Sequence, residues 1–283
     1  MSREGQRQRR RLGQNAPPRG QKPEMNLAPR DLAVMAEGLR TYHALFQDLF
    51  PRREQRGWSA LYLRGQLAAL ERKTVEPMVL ALKGPALAAV RAGQQFLGGG
   101  AWADGPILAR HQLLVAESLG EPDGVVIVDG SGFPKQGTHS VGVAPQYCGA
   151  LGKMANCQQG VFAAYVTRKG YTFLDRRLYM PEEWFDDAPA PLRRRSGVPP
   201  ALPFQTEPRL ALEMVRGLVE RAVVPFAWVV ADEHYGRIPA FLDGVAAEGK
   251  WYFAAVPSST KVWVGEPTVE PAGAGPLGRP RKH

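Results

Sequence analysis

At 283 residues the chain suits one large domain or two modest ones, and 44% hydrophobic residues support a real core. No stretch is long and apolar enough for a transmembrane helix, and the arginine-rich start lacks the apolar segment of a secretory signal. The formal net charge of +9 is unevenly placed, and the share outside the first 24 residues is ordinary for a body of that size. Cys148 and Cys157 form no CxxC pair, so a zinc site is not expected and a reducing cytosol is the simplest setting.

Residues 1–25 form a basic segment with disordered composition. Arg3, Arg7, Arg9, Arg10, Arg11, Arg19 and Lys22 stand against Glu4 and Glu24, a local +5. Such a tail displaces counterions from a phosphate backbone without reading sequence, which makes Arg9, Arg10 and Arg11 DNA-contact candidates. A solvated leader without a partner has the same composition.

Residues 26–120 carry helical periodicity and read as one helical, DNA-binding module. The first helix opens near Pro29, keeps helical spacing through Leu32, Met35, Leu39, Tyr42, Phe46 and Leu49, and stops at Pro51. Others fit Trp58 to Lys73, Pro85 to Leu97 and Pro106 to Leu119. Trp58, Arg64 and Arg72 are candidates for a groove-facing surface, though surface solvation serves for each arginine.

From residue 121 the pattern changes to an α/β texture. Strands fit Val125–Asp129, Gly160–Arg168, Tyr171–Tyr179, Ala227–Asp232 and Trp251–Val256, with a hairpin at Lys169-Gly170. Helices fit 207–222 and 237–248, the first opened by Thr206 and Pro208, the second closed by Gly249. Residues 181–205 read as a long loop, and 259–283 as a glycine, proline and basic linker.

The run Val125-Val126-Ile127-Val128 leads straight into Asp129, and Trp228-Val229-Val230-Ala231 leads into Asp232. A short apolar run of this kind is expected to be buried on both faces, releasing its aspartate at a polar mouth. Two strand-end carboxylates on one sheet supply the hard oxygen ligands that a pair of Mg²⁺ ions about 4 Å apart requires for phosphoryl transfer. Either aspartate would also serve as an ordinary cap of the turn or helix that follows it. Lys135 follows the first aspartate on a glycine-punctuated turn that could meet a phosphate, and His234 sits beside the second. A solvent-facing lysine and a packing histidine are the plainer alternatives.

Several ordered strings look like one family. They are Asp129-Gly130-Ser131-Gly132-Phe133-Pro134-Lys135-Gln136-Gly137, Gln146-Tyr147-Cys148-Gly149-Ala150-Leu151-Gly152-Lys153, Ala155-Asn156-Cys157-Gln158-Gln159-Gly160-Val161, Phe204-Gln205-Thr206-Glu207-Pro208 and Ala231-Asp232-Glu233-His234-Tyr235-Gly236. The chain resembles the IS701-type insertion-sequence transposases, DDE-superfamily endonucleases with an RNase H-like core. The resemblance implies an α+β fold: a helical module, then a mixed sheet flanked by helices over 121–258, incomplete at the C-terminus. It implies Mg²⁺ or Mn²⁺ held by Asp129 and Asp232 as the first two catalytic acids. The expected activity is DNA cleavage and strand transfer at element ends. The expected partners are double-stranded terminal-repeat and target DNA, with a second copy or a full-length transposase as protein partner, in the bacterial cytoplasm at the nucleoid and with no membrane.

The family's third acid, a glutamate, lies beyond an inserted β-rich segment, and neither Glu266 nor Glu270 is assigned to it. On that basis the chain reads as C-terminally truncated, with two carboxylates that hold metal weakly and do not cut DNA unaided. A catalytically dead remnant that binds DNA or associates with transposase is the alternative.

Overall fold

The computed structural model of the protein describes residues 28–187, 189–261 and 265. The basic tail with Arg9, Arg10 and Arg11, the glutamates Glu266 and Glu270, and most of the expected 259–283 linker lie outside the described residues. The chain divides into two units at Ala103/Asp104.

The first unit is helical: α1 (Pro29–Ala44), a 3-10 turn (Gln47–Leu49), α2 (Arg53–Leu67), α3 (Val75–Lys83) and α4 (Leu87–Gly99). At the start of α1, Pro29 occupies a position that needs no donor, and the Asp31 carboxylate accepts the Ala28 amide at 2.9 Å. The unit's core joins Leu61, Val79 and Val90, with Trp58, Val75 and Leu82 against them. Phe50, Phe96 and Trp102 form a second contact, with ring centroids 5.4–5.9 Å apart. Helix α3 falls where no helix is expected; Pro77 sits in its first turn, where a missing amide costs nothing.

The second unit opens with α5 (Asp104–Leu119). The sequence grouped this helix with those before it, but its side chains serve the sheet. Gln112 Nε2 donates to the Leu174 carbonyl at 3.0 Å, His111 Nε2 lies 2.7 Å from the Phe173 carbonyl, and Val115 enters the sheet's core. The division at Ala103/Asp104 thus counts α5 with the sheet.

Six strands follow: β1 (Val125–Pro134), β2 (Ala144–Cys148), β3 (Lys153–Thr167), β4 (Gly170–Tyr179), β5 (Trp228–Ala231) and β6 (Trp251–Ala254). They lie in the order β2-β3-β1-β5-β6, with β4 also paired to β3. Strand β3 is antiparallel to β1, β2 and β4, whereas β5 and β6 run parallel to β1. This mixed sheet with its helices α7 (Glu207–Arg221) and α9 (Pro239–Ala247) is an RNase H-like α+β fold, as expected.

One face of the sheet is packed. Val126, Val128, Val161, Ala163, Tyr165 and Val229 meet the apolar stripe Leu210, Ala211, Met214, Val215 and Leu218 of α7, with Phe241 and Val245 from α9. The other face carries Trp228, Trp251, Phe253, Tyr171 and Phe173, all exposed. Val125 and Ile127 alternate with fully buried Val126 and Val128, so β1 is not buried on both faces.

Residues 181–205 do more than bridge. A 3-10 turn (Glu182–Phe185) and short α6 (Ala190–Arg195) close a satellite core of Val143, Met180 and Trp184, in which the Trp184 indole donates to the Val143 carbonyl at 2.8 Å.

Candidate active site

Asp129 and Asp232 are brought together by strand register. Val128 pairs with Ala231 in the parallel β1/β5 ladder, so the next residue on each strand is an aspartate at the same level of the sheet. Neighbouring strands lie about 4.8 Å apart, which sets the carboxylates side by side.

The two are anchored differently. Asp129 Oδ1 accepts the Gly130 amide at 2.7 Å, within a strand that continues. Asp232 ends β5 and caps the four-residue helix α8 (Glu233–Gly236), its Oδ1 accepting the His234 amide at 2.9 Å. The capping role weighed for a strand-end aspartate is thus real at Asp232, and it engages one oxygen. Glu233 lies in α8 and is exposed.

A glycine holds this corner in place. A β-carbon on Gly236 would stand 1.9 Å from the Ala255 carbonyl oxygen, a separation that no side chain satisfies without moving backbone. The tight approach of α8 to the chain after β6 fixes where β5 stops and hence where Asp232 emerges.

Beyond Asp129 the structure departs from the expected turn. Gly130 to Pro134 continue β1, because β3 is long enough to pair with all of them, from Gly130 opposite Val161 to Pro134 opposite Cys157. Lys135 therefore lies six residues past Asp129, on the order of 20 Å along the strand. Its backbone is clamped: the Lys135 amide donates to the Asn156 carbonyl at 2.9 Å, and Asn156 Nδ2 donates back to the Lys135 carbonyl at 2.9 Å. Its side chain is exposed. His234 is exposed beside the carboxylates, its ring edge-on to Tyr235 with centroids 5.1 Å apart.

A third carboxylate stands here that was not assigned a role from the sequence. Glu207 is the first residue of α7, and its Oε2 lies 3.0 Å from the point where a Gly130 β-carbon would sit. The same point is 3.8 Å from the hydroxyl of Tyr235, a residue only 1% exposed whose hydroxyl has no hydrogen-bond partner among the described residues. The signal in the sequence is the helix start Thr206-Glu207-Pro208, which puts an acid in the first turn but does not say what the turn faces.

Electrostatics tie these groups together. Burial pushes the Asp129 carboxyl above its ordinary value; the Gly130 amide opposes this, Asp232 adds to it, and His234 opposes it. Burial raises Glu207 as well, with His234 opposing and the Asp232 and Asp129 carboxylates adding to the rise. The Tyr235 hydroxyl is pushed far up by burial and then by Glu207, Asp129 and Asp232. Glu207 thus feels both aspartates, and Asp129 feels Asp232.

The family model of the DDE superfamily endonucleases matches residues 45–283. The chain belongs to the DDE superfamily of endonucleases. No curated protein matches it.

For a DDE endonuclease the cation expected is divalent, and the donor chemistry here fits one: carboxylate oxygens on two rigid neighbouring strands are the hard ligands that Mg²⁺ and Mn²⁺ take. Among the described residues no three His, Cys, Asp or Glu side chains are already gathered around one point. Waters and substrate phosphate oxygens complete such spheres, since Mg²⁺ keeps several waters even when bound. In the helical unit, Arg53, Arg64 and Lys83 line a cavity of about 520 Å³ beside Trp58, with the Lys83 ammonium 4.7 Å from that ring's centroid. No helix among the described residues is long and apolar enough to cross a membrane.

Proposed function

We propose that this DDE endonuclease is an insertion-sequence transposase of the IS701 type, cutting and joining DNA at element ends with Asp129 and Asp232 as its first two catalytic acids. The observation that carries the reading is the Val128–Ala231 register, which sets those two aspartates on adjacent parallel strands of an RNase H-like sheet. Asp129 and Asp232 would hold Mg²⁺ or Mn²⁺, which supplies charge neutralisation at the scissile phosphate and an activated oxygen nucleophile. The strands do the positioning, and the Gly130 and His234 amides engage Oδ1 of each carboxylate, leaving Oδ2 for a cation.

The substrate is double-stranded DNA in the cytoplasm, at the nucleoid, and a second copy or a full-length transposase is the protein partner. The basic composition of the first 25 residues with Arg9, Arg10 and Arg11, the exposed Lys135 and His234, and the cationic cavity around Trp58 are the features that support DNA contact. A binding-only role is the second reading, favoured by the absence of a gathered three-ligand group among the described residues.

Incubation of the purified chain with its element's terminal-repeat DNA and Mg²⁺ or Mn²⁺ tests both. Strand cleavage that disappears in Asp129→Asn and Asp232→Asn, with DNA affinity kept, supports the enzyme. Cleavage that survives both substitutions sinks it. DNA binding without cleavage in the unaltered chain selects the binding-only role.

A further inference from the structure

Glu207 is a half-buried carboxylate that makes no hydrogen bond or ion pair with any described residue. A carboxylate held partly out of water without a partner is costly, and placing it among like charges raises the cost. Yet the fold builds this position with care. Glu207 opens α7, whose buried stripe locks the helix on the sheet, and Pro208 inside the first turn fixes the backbone at its start. Glycine at 130 leaves its Oε2 room, since a β-carbon there would be 3.0 Å away.

A second observation points to a ligand at the same spot. The Tyr235 hydroxyl, on a residue 1% exposed, lies 3.8 Å from the same Gly130 β-carbon position and has no hydrogen-bond partner among the described residues. Buried hydroxyls in folded proteins are nearly always satisfied. The corner thus brings the carboxylates of Asp129, Glu207 and Asp232 near one idle hydroxyl.

We propose that Glu207 is a third carboxylate of this centre and ligates a divalent cation together with Asp129, with Tyr235 holding it by a hydrogen bond in the bound form. The proposal rests on the assignment of Asp129 and Asp232 as the catalytic acids and extends it. Like charges keep the three side chains apart, whereas a divalent cation turns their mutual effect from repulsion into shared attraction. Glu207 has the rotatable length to turn toward Asp129; the aspartates, fixed by strand and cap, do not need to move.

The test is Mn²⁺ titration of the full 283-residue chain, read by the loss of the free-ion electron paramagnetic resonance signal and by the rise in melting temperature with added ion. Glu207→Gln is expected to weaken Mn²⁺ binding about tenfold or more, with Tyr235→Phe weakening it less. Glu220→Gln, the same charge change on an exposed part of the same helix, is expected to leave binding unchanged. Circular dichroism of Glu207→Gln keeps a folding defect distinct from a binding defect. If Asp129→Asn abolishes Mn²⁺ binding while Glu207→Gln binds as tightly as the parent, this proposal is overturned and the assignment of the two aspartates stands. If Asp129→Asn also leaves binding intact, both fall.

Discussion

Gly130 and Glu207, far apart in sequence, meet so closely that the glutamate's Oε2 stands 3.0 Å from the position a Gly130 β-carbon would take. A methyl group there requires the carboxylate to give by a few tenths of an ångström. In a strand, alanine also loses less backbone entropy on folding than glycine does, by about 0.4–1 kcal/mol. Gly130→Ala is therefore expected to leave global stability within about 1 kcal/mol of the parent while weakening Mn²⁺ affinity. Chemical denaturation together with the Mn²⁺ titration checks this; a large stability loss with unchanged affinity contradicts it.

Asp232 has two duties that chemistry can separate. Asparagine caps a helix as well as aspartate does, but it brings no negative charge. Asp232→Asn should keep the His234 amide satisfied and the melting temperature near the parent's, and should abolish cleavage. Asp232→Ala should lose activity and about 1 kcal/mol of stability as well. Thermal melts of the pair show whether cap and charge are distinct.

The raised carboxyls at Asp129 and Glu207 set a direction for stability against pH. An acid whose carboxyl titrates higher in the folded chain than in the unfolded chain keeps its proton more firmly when folded. Stability from such groups is highest below the unfolded value and declines as pH rises through the folded one. Glu207→Gln removes the Glu207 share. In EDTA, the variant should therefore melt higher than the parent at pH 7, with the gap closing toward pH 4. Added Mn²⁺ should reverse the order at pH 7, because only the parent keeps the full ligand set. A gap that widens toward acid contradicts the sign.

Asp175 is the buried charge of the second unit, 2% exposed, and it is surrounded by arginines. Arg177 Nη1 is 2.5 Å from Oδ1, Arg176 3.6 Å, and Arg221 Nη2 is 3.9 Å from Oδ2. Arg221 also reaches Gln112 Oε1 at 3.0 Å, so one acid ties α5, β4 and α7 together. Removing it leaves three half-exposed guanidinium groups that water can partly serve. Asp175→Ala should cost about 1–3 kcal/mol, less than for a fully enclosed pair. Urea denaturation measures it, and a neutral result means that the arginines re-solvate freely.

Much of this was legible in the sequence because it rests on period and punctuation. The apolar runs before Asp129 and Asp232, the hairpin at Lys169-Gly170 and the stripe of α7 are local patterns that tertiary contacts did not override. The features that escaped depend on partners. Gly130-Ser131-Gly132 has turn composition, yet β3 pairs with every residue of it, so β1 runs on and carries Lys135 away from Asp129. Strand β2 has Pro145 inside it and survives because it lies at an edge. Glu207 looked like any first-turn acid, and only the laying of α7 across the sheet gives it Gly130, Asp129 and Tyr235 as neighbours.

The parallel partner of β1 is much shorter than β1 itself: the ladder ends at Val128–Ala231, whereas β1 continues to Pro134 on its other side. From Asp129 onward β1 therefore has no ladder partner on that edge among the described residues. The mouth of the centre is made by a strand that stops early, so its width is a matter of strand length. Insertion of two sheet-forming residues after Ala231 would extend the ladder across that opening and carry Asp232 roughly 7 Å past Asp129, parting the two acids without changing either residue.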